Sequence, residues 1–168
     1  MSNSVQLIRT SMFDELASRA AAIPRLRINH NFHSSMEDNP HRFLNVMLHG
    51  TYLRPHRHLA PPKTESFVCL EGRLAFFIYD GFGKIQEIHE LNASGPIIGI
   101  DIAPGIWHTI LVLSSRAVFF EVKPGPYQVS TDKEFVDWAP EEGAPDVPAF
   151  LASLEEAYRL HASKPPGS

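Results

Sequence analysis

Cysteine is almost absent from the chain: Cys69 is the single one among 168 residues. One thiol closes no disulfide within the chain, so the fold must rest on packing, and a reducing compartment suits it. Long apolar runs are missing too. No stretch approaches the ~18 apolar residues that would span a bilayer. The start, Met1-Ser2-Asn3-Ser4, has neither a basic n-region nor an apolar h-region, so no signal peptide is read and the cytoplasm is expected. Cationic excess is also lacking. The formal net charge is −4 and no Lys/Arg-rich patch stands out, which argues against a nucleic-acid partner. What is present is a 43% hydrophobic composition, globular and not disordered. A chain of this length can bury a core as one domain, 1–168.

Two helices bracket the chain. Residues 11–22 place Phe13, Leu16, Ala17 and Ala20 on one face, with Ser11 as candidate cap, Asp14 in the first turn and Pro24 ending the run. Residues 147–161 carry Phe150, Leu151, Leu154, Ala157 and Tyr158 on a broad apolar stripe. Between them, from Phe43 to Phe120, short apolar runs alternate with Gly, Pro and Asp. Asp80-Gly81-Phe82-Gly83-Lys84 joins Leu74–Tyr79 to Ile85–Leu91 as a hairpin. Ile97–Ile102, Trp107–Leu113 and Val118–Val122 supply further strands. The pattern predicts a mainly β sandwich or barrel. Asn29-His30-Asn31-Phe32-His33-Ser34-Ser35 reads as a polar loop, and residues 124–148 as a Pro-rich stretch crossing the surface.

The chemistry concentrates in His56-x-His58, Glu65 and His108. Residues i and i+2 of a strand point to one face, so His56 and His58 can grip one ion together. Glu65 heads the run Ser66–Leu70, and His108 opens Thr109–Leu113. Three imidazoles and a carboxylate from three strands form a ligand set for one divalent first-row metal: Fe, Mn, Ni, Co or Zn. Lys63 shares the strand parity of Glu65 and can pair with it instead.

These residues also carry a resemblance. Gly50, five residues, His56-x-His58, then Glu65, six residues and Gly72 resemble the first cupin motif; Pro104-Gly105-x-x-His108 resembles the second. Arg54-Pro55-His56-Arg57-His58, Pro61-Pro62-Lys63, Pro104-Gly105-Ile106-Trp107-His108 and Phe119–Tyr127 are similar to the WbuC family of cupin-fold metalloproteins, over roughly residues 10–155. The resemblance implies a cupin-type double-stranded β-helix, a jelly-roll barrel of about 43–123 with an N-terminal and a C-terminal helix. It also implies a bound metal, and sugar chemistry linked to lipopolysaccharide O-antigen.

Other candidates surround this set. Tyr52 and Arg54 share parity with His56 and His58 and are expected to face the cavity, where an arginine fork suits a carboxylate or phosphate. The alternative is that Pro55 turns Arg54 to solvent. Lys63 is a second cation for a ligand anion, or a base. Glu121 in an apolar setting is a candidate general base, or the partner of Lys123 or an arginine. Asn29, Asn31 and His33 cap the open end of the barrel, with a ligand or by their own hydrogen bonds. Tyr127 lines the mouth or packs a turn. Trp107 and Cys69 read as core. Two functions follow. One is an enzyme isomerising or epimerising a sugar, polyol or keto acid, or using Fe(II) and O₂ as a dioxygenase. The other is a metal-anchored module that binds such a small molecule, anionic or carbohydrate, without turnover. The apolar residues on both parities of Phe67–Tyr79 suggest a homodimer.

Overall fold

The computed structural model of the protein describes residues 5–128 and 132–163. Two five-stranded antiparallel sheets face each other. One has the order β1 (Arg27–Asn31), β2 (His41–Leu48), β9 (Arg116–Lys123), β4 (Glu65–Glu71), β7 (Gly99–Ile102). The other has β10 (Glu134–Phe135), β3 (His56–Arg57), β8 (Trp107–Val112), β5 (Arg73–Tyr79), β6 (Ile85–Asn92). The expected cupin-type jelly roll is therefore the fold, with α1 (Thr10–Ala21) and α2 (Val147–Ala162) outside it.

Alternation builds the core. Met47, Phe67, Leu74, Phe76, Ile110 and Phe119 point between the sheets and are buried. The opposite rows are covered by the helices. Phe13 and Leu16 of α1 pack with Leu44, Val46 and Val118. Leu154 of α2 packs with Ala75, Phe77 and Leu111. The two-sided apolarity of β5 thus has cover from the chain itself and needs no second copy. The outer row of β4 lacks such cover: Val68 and Leu70 are 42% and 36% exposed. Gly72 turns β4 into β5 with φ +76°, and a Cβ there would lie 2.1 Å from the Arg116 carbonyl oxygen, so only glycine fits.

Three local expectations change. Ser11 lies inside α1; Arg9 holds the cap position without a side-chain cap, and Asp14 turns to Arg116 at 2.7 Å. Asn29, His30 and Asn31 belong to β1, where ladder pairing with Asn45, Leu44 and Phe43 of β2 overrides their turn preference. The 124–148 stretch does more than cross the surface: most of its described residues are exposed or half-buried, but it also supplies a strand and a buried carboxylate. Its β10 pairs Phe135 with His56, Arg57 grips Glu134 at 2.9 and 2.8 Å, and Asp132 is buried.

Candidate functional site

The inward row of each strand becomes ionisable toward one end of the barrel. Along β4 it reads Cys69, Phe67, Glu65; along β8, Val112, Ile110, His108; along β9, Ala117, Phe119, Glu121, Lys123. A cavity of about 180 Å³ opens there, with His56, Glu65, His108, Glu121, Lys123 and Asn45 on its wall.

His56, His58, Glu65 and His108 are each only 2–3% exposed. One ligating atom from each of His56, His58 and Glu65 lies within 4.8 Å of the others. The His58 and His108 Nε2 atoms stand 3.1 Å from Glu65 Oε1 and Oε2 respectively. His108 comes from β8, which pairs His108 directly with His56. Gly105, with φ +79°, donates its N–H to the His58 carbonyl at 3.0 Å and ties the two histidine loops together.

The opposite edge of each ring fixes its orientation. His56 Nδ1 meets the Arg54 carbonyl at 3.0 Å, His108 Nδ1 the Ile106 carbonyl at 3.0 Å, and His58 Nδ1 the Asp132 carbonyl. A carbonyl oxygen only accepts, so each Nδ1 carries the proton and donates. That leaves the Nε2 lone pairs for the centre, the tautomer a metal-binding imidazole needs. Burial, with the Lys133 ammonium behind it, holds His56 well below its ordinary pKa, so it stays an unprotonated donor. Burial alone would raise Glu65. The His108 and His58 rings and the Lys123 ammonium outweigh it and hold the carboxyl well below the usual range. His58 Nε2 and Glu65 Oε2 are buried with no hydrogen-bond partner among the described residues. Each Nε2 stands 3.1 Å from a Glu65 oxygen, so a proton or a shared cation must lie between them, and a metal ion fits that place. These residues can therefore hold a metal ion.

Glu121 sits beside this centre. Burial raises its pKa against the opposing pull of Lys123, while Asn45 donates to Oε2 at 2.8 Å. Lys123 is 3.7 Å from Glu121, 3.7 Å from Glu65 and 3.2 Å from Asp132. Burial would lower its pKa, yet the three carboxylates Glu121, Glu65 and Asp132 raise it, so it stays charged.

Several expected residues lie elsewhere. Tyr52 donates its hydroxyl to the Pro140 carbonyl at 2.7 Å and packs on Phe150 of α2. Arg54 donates to the Val136 carbonyl at 2.6 Å and reaches Glu141 at 3.4 Å. Neither lines the cavity. Parity fails for them because residues 51–55 are not strand; β3 begins at His56. Lys63 is buried but faces away, bonded to Asp132 Oδ1 at 2.8 Å and the Pro126 carbonyl at 2.7 Å, so it is neither a free base nor an anion ligand. Asn29 lines the cavity while Asn31 holds it by a side-chain hydrogen bond. His33 stacks on His41 at 4.2 Å. Tyr127 is half-buried outside the lining, its N–H bonded to the Met36 carbonyl. Trp107 packs outside the barrel under the Arg57 guanidinium, and the buried Cys69 thiol is pushed up by its burial.

Arg27, Asn45, Asp132 and Lys133 were not singled out from sequence. Asn45 carries a legible signal: it interrupts the inward row between Phe43 and Met47. Asp132 and Lys133 sit in irregular backbone with no periodicity to read.

Among the described residues no helix is long and apolar enough to cross a membrane. No curated protein matches the chain. Solved structures share the fold. The L-ribose isomerase of Cellulomonas parahominis, solved with L-psicose, aligns with TM-score 0.55 and 13% identity over 81% of this chain and 95% of that one. The capsular polysaccharide assembling protein CapF of Staphylococcus aureus aligns with TM-score 0.52 and 18% identity over 66% of this chain. The chain matches only 34% of the length of CapF. Residues 8–91 match the model of the family described as Domain of unknown function (DUF6016), and the chain belongs to that family.

Proposed function

We propose that the cavity binds one divalent metal ion (Fe, Mn, Ni, Co or Zn) through His56, His58, Glu65 and His108, and that it isomerises or epimerises a sugar or sugar-derived acid. The observation that carries this is the set of three imidazoles, each with Nδ1 donating to a backbone carbonyl and Nε2 turned to Glu65. A bound ion supplies Lewis acidity toward a carbonyl or hydroxyl oxygen. The chain's own residues do the rest. Glu121, with its raised pKa, takes a proton from carbon and returns it, and Asn45 fixes the carboxylate oxygen that does so. Lys123 keeps Glu65 and Glu121 from repelling each other. Phe43, Phe67 and Phe119 supply the apolar wall against which a sugar carbon can rest. The likeness to an isomerase of a sugar and to a polysaccharide-assembling protein supports a carbohydrate ligand, and with the WbuC resemblance a place in lipopolysaccharide O-antigen synthesis.

A second reading is a binding module without turnover. It is favoured by the pairing of Glu121 with Asn45 and Lys123, which a pure binder would also use. Metal analysis of purified protein, then a screen of aldoses, ketoses and sugar acids with that metal, separates the two. Turnover is expected, and His58→Ala should lower metal affinity by at least ~10-fold. Stoichiometric metal retained by a His56→Ala/His58→Ala double variant would sink the metal assignment. A homodimer is part of the same proposal, through the exposed Val68, Leu70, Ile97 and Ile98. Light scattering at the monomer mass of 18.8 kDa would refute it.

A further inference from the structure

We propose that the mouth of the cavity is an oxyanion subsite in which Lys133, beside Arg27, takes a carboxylate or phosphate group of the ligand. This rests on the reading of the cavity as a small-molecule site and narrows the ligand to a charged one. Four cations line the cavity (Arg25, Arg27, Lys123 and Lys133) against two carboxylates, Glu65 and Glu121. Three of the four have partners. Arg25 meets Glu142 at 3.0 Å, and Arg27 meets Glu142 at 2.5 Å and the Tyr52 carbonyl at 2.7 Å. Lys123 is held by Asp132, Glu121 and Glu65. Lys133 alone makes no hydrogen bond or ion pair with a described residue, although it is half-buried in the same cavity.

Such a position is unfavourable by itself. Burial and the charges of Lys123 and Arg27 lower the Lys133 pKa, only partly countered by Glu65 and Glu121. A buried ammonium wants a partner, and an oxyanion arriving with the ligand supplies it. The carboxylates already present are committed: Glu65 to the histidines, Glu121 to Asn45 and Lys123. The arrangement also sets polarity. The histidines and Glu65 are 2–3% exposed, whereas Lys133 is only half-buried. The anionic end therefore sits outward and the hydroxyl or carbonyl end inward. A cavity of about 180 Å³ lies below the ~300–1,000 Å³ of drug-sized sites, so the ligand is one short sugar acid or sugar phosphate and not a nucleotide sugar.

The test uses three probes that share one carbon skeleton: D-ribose, D-ribonate and D-ribose 5-phosphate. Calorimetry on full-length wild type is expected to give at least ~10-fold tighter binding of one charged probe than of ribose. Whichever probe wins assigns carboxylate or phosphate. Lys133→Gln should reduce that preference to within ~2-fold while metal content, measured separately, stays at the wild-type level; Lys133→Arg should keep it. Equal binding of the three probes by wild type, no binding of any at millimolar concentration, or a preference retained in Lys133→Gln overturns the proposal. Wild type that prefers the charged probe yet holds no metal overturns the metal assignment and leaves this subsite standing. A metal-loaded wild type without the preference does the reverse.

Discussion

The two ends of the barrel interior are built from the same strands and do opposite things. At one end Leu74, Leu91, Val112 and Ala117 are fully or nearly fully buried and hold no polar side chain. At the other, His56, His58, Lys63, Glu65, His108 and Asp132 are as deeply buried, at 2–3% exposure, and all can carry charge. Equal burial with opposite chemistry separates what folds the barrel from what equips it. The apolar end gains from each carbon removed from water. The polar end is tolerable because its buried charges, Lys133 apart, have a counter-charge or a directed acceptor, as in the chain Lys63–Asp132–Lys123–Glu121.

The sharpest way to break this comparison is to cut each end and see what is lost. Phe76→Ala at the apolar end is expected to cost about 3–5 kcal/mol in urea unfolding, with metal per folded molecule unchanged. Metal lost in proportion to that destabilisation would show that the two ends are not separable.

Asp132→Asn at the polar end should cost about 3 kcal/mol, because it leaves Lys63 and Lys123 without their shared carboxylate. Its pH signature has a defined sign. Burial would raise the Asp132 pKa, but Lys123 and Lys63 hold it below its ordinary 3.8. Its contribution is present above about pH 3.8 and is lost as pH falls through the lower folded value. The variant should therefore show a flatter acid limb in a stability–pH profile.

Glu121→Gln is expected to stabilise slightly or be neutral, and to lower turnover by about 10²-fold. Burial raises its folded pKa above 4.5, so the folded state binds that proton more tightly than the unfolded chain. The resulting stability is present below pH 4.5 and is lost as pH rises through the folded value, the reverse of Asp132. Activity should climb over that same window as the base ionises. An unchanged rate in Glu121→Gln would remove it from catalysis. The smallest effect belongs outside both ends: Ser11→Ala should stay within ~0.5 kcal/mol by thermal unfolding, since Ser11 caps nothing.

How much of this was legible depended on periodicity. Glu65 and His108 could be placed because each sits at or beside the head of a strand whose inward row continues in apolar residues, whereas His56 and His58 were legible from their i, i+2 spacing alone. The helices were legible for the same reason, with α1 and α2 within one residue of the expected 11–22 and 147–161. Tyr52 and Arg54 were misplaced because parity was extended into backbone that is not strand. Strand β1 was hidden because Arg27, Asn29 and Asn31 carry no apolar alternation; its existence depends on partners supplied by β2. Asp132 and Lys133 reach the site through irregular backbone around β10, which only the folded barrel positions.

Asp132 and Lys133 are consecutive. One offers the carbonyl that orients His58, and the next offers the unpaired ammonium of the cavity. An anion that draws on Lys133 would draw on the peptide that orients the His58 ring, whose nitrogen is proposed to hold the ion. The two proposed binding events would then share a free energy, and that sharing would be reciprocal: whatever the ion does to the affinity for the anion, the anion does by the same factor to the affinity for the ion.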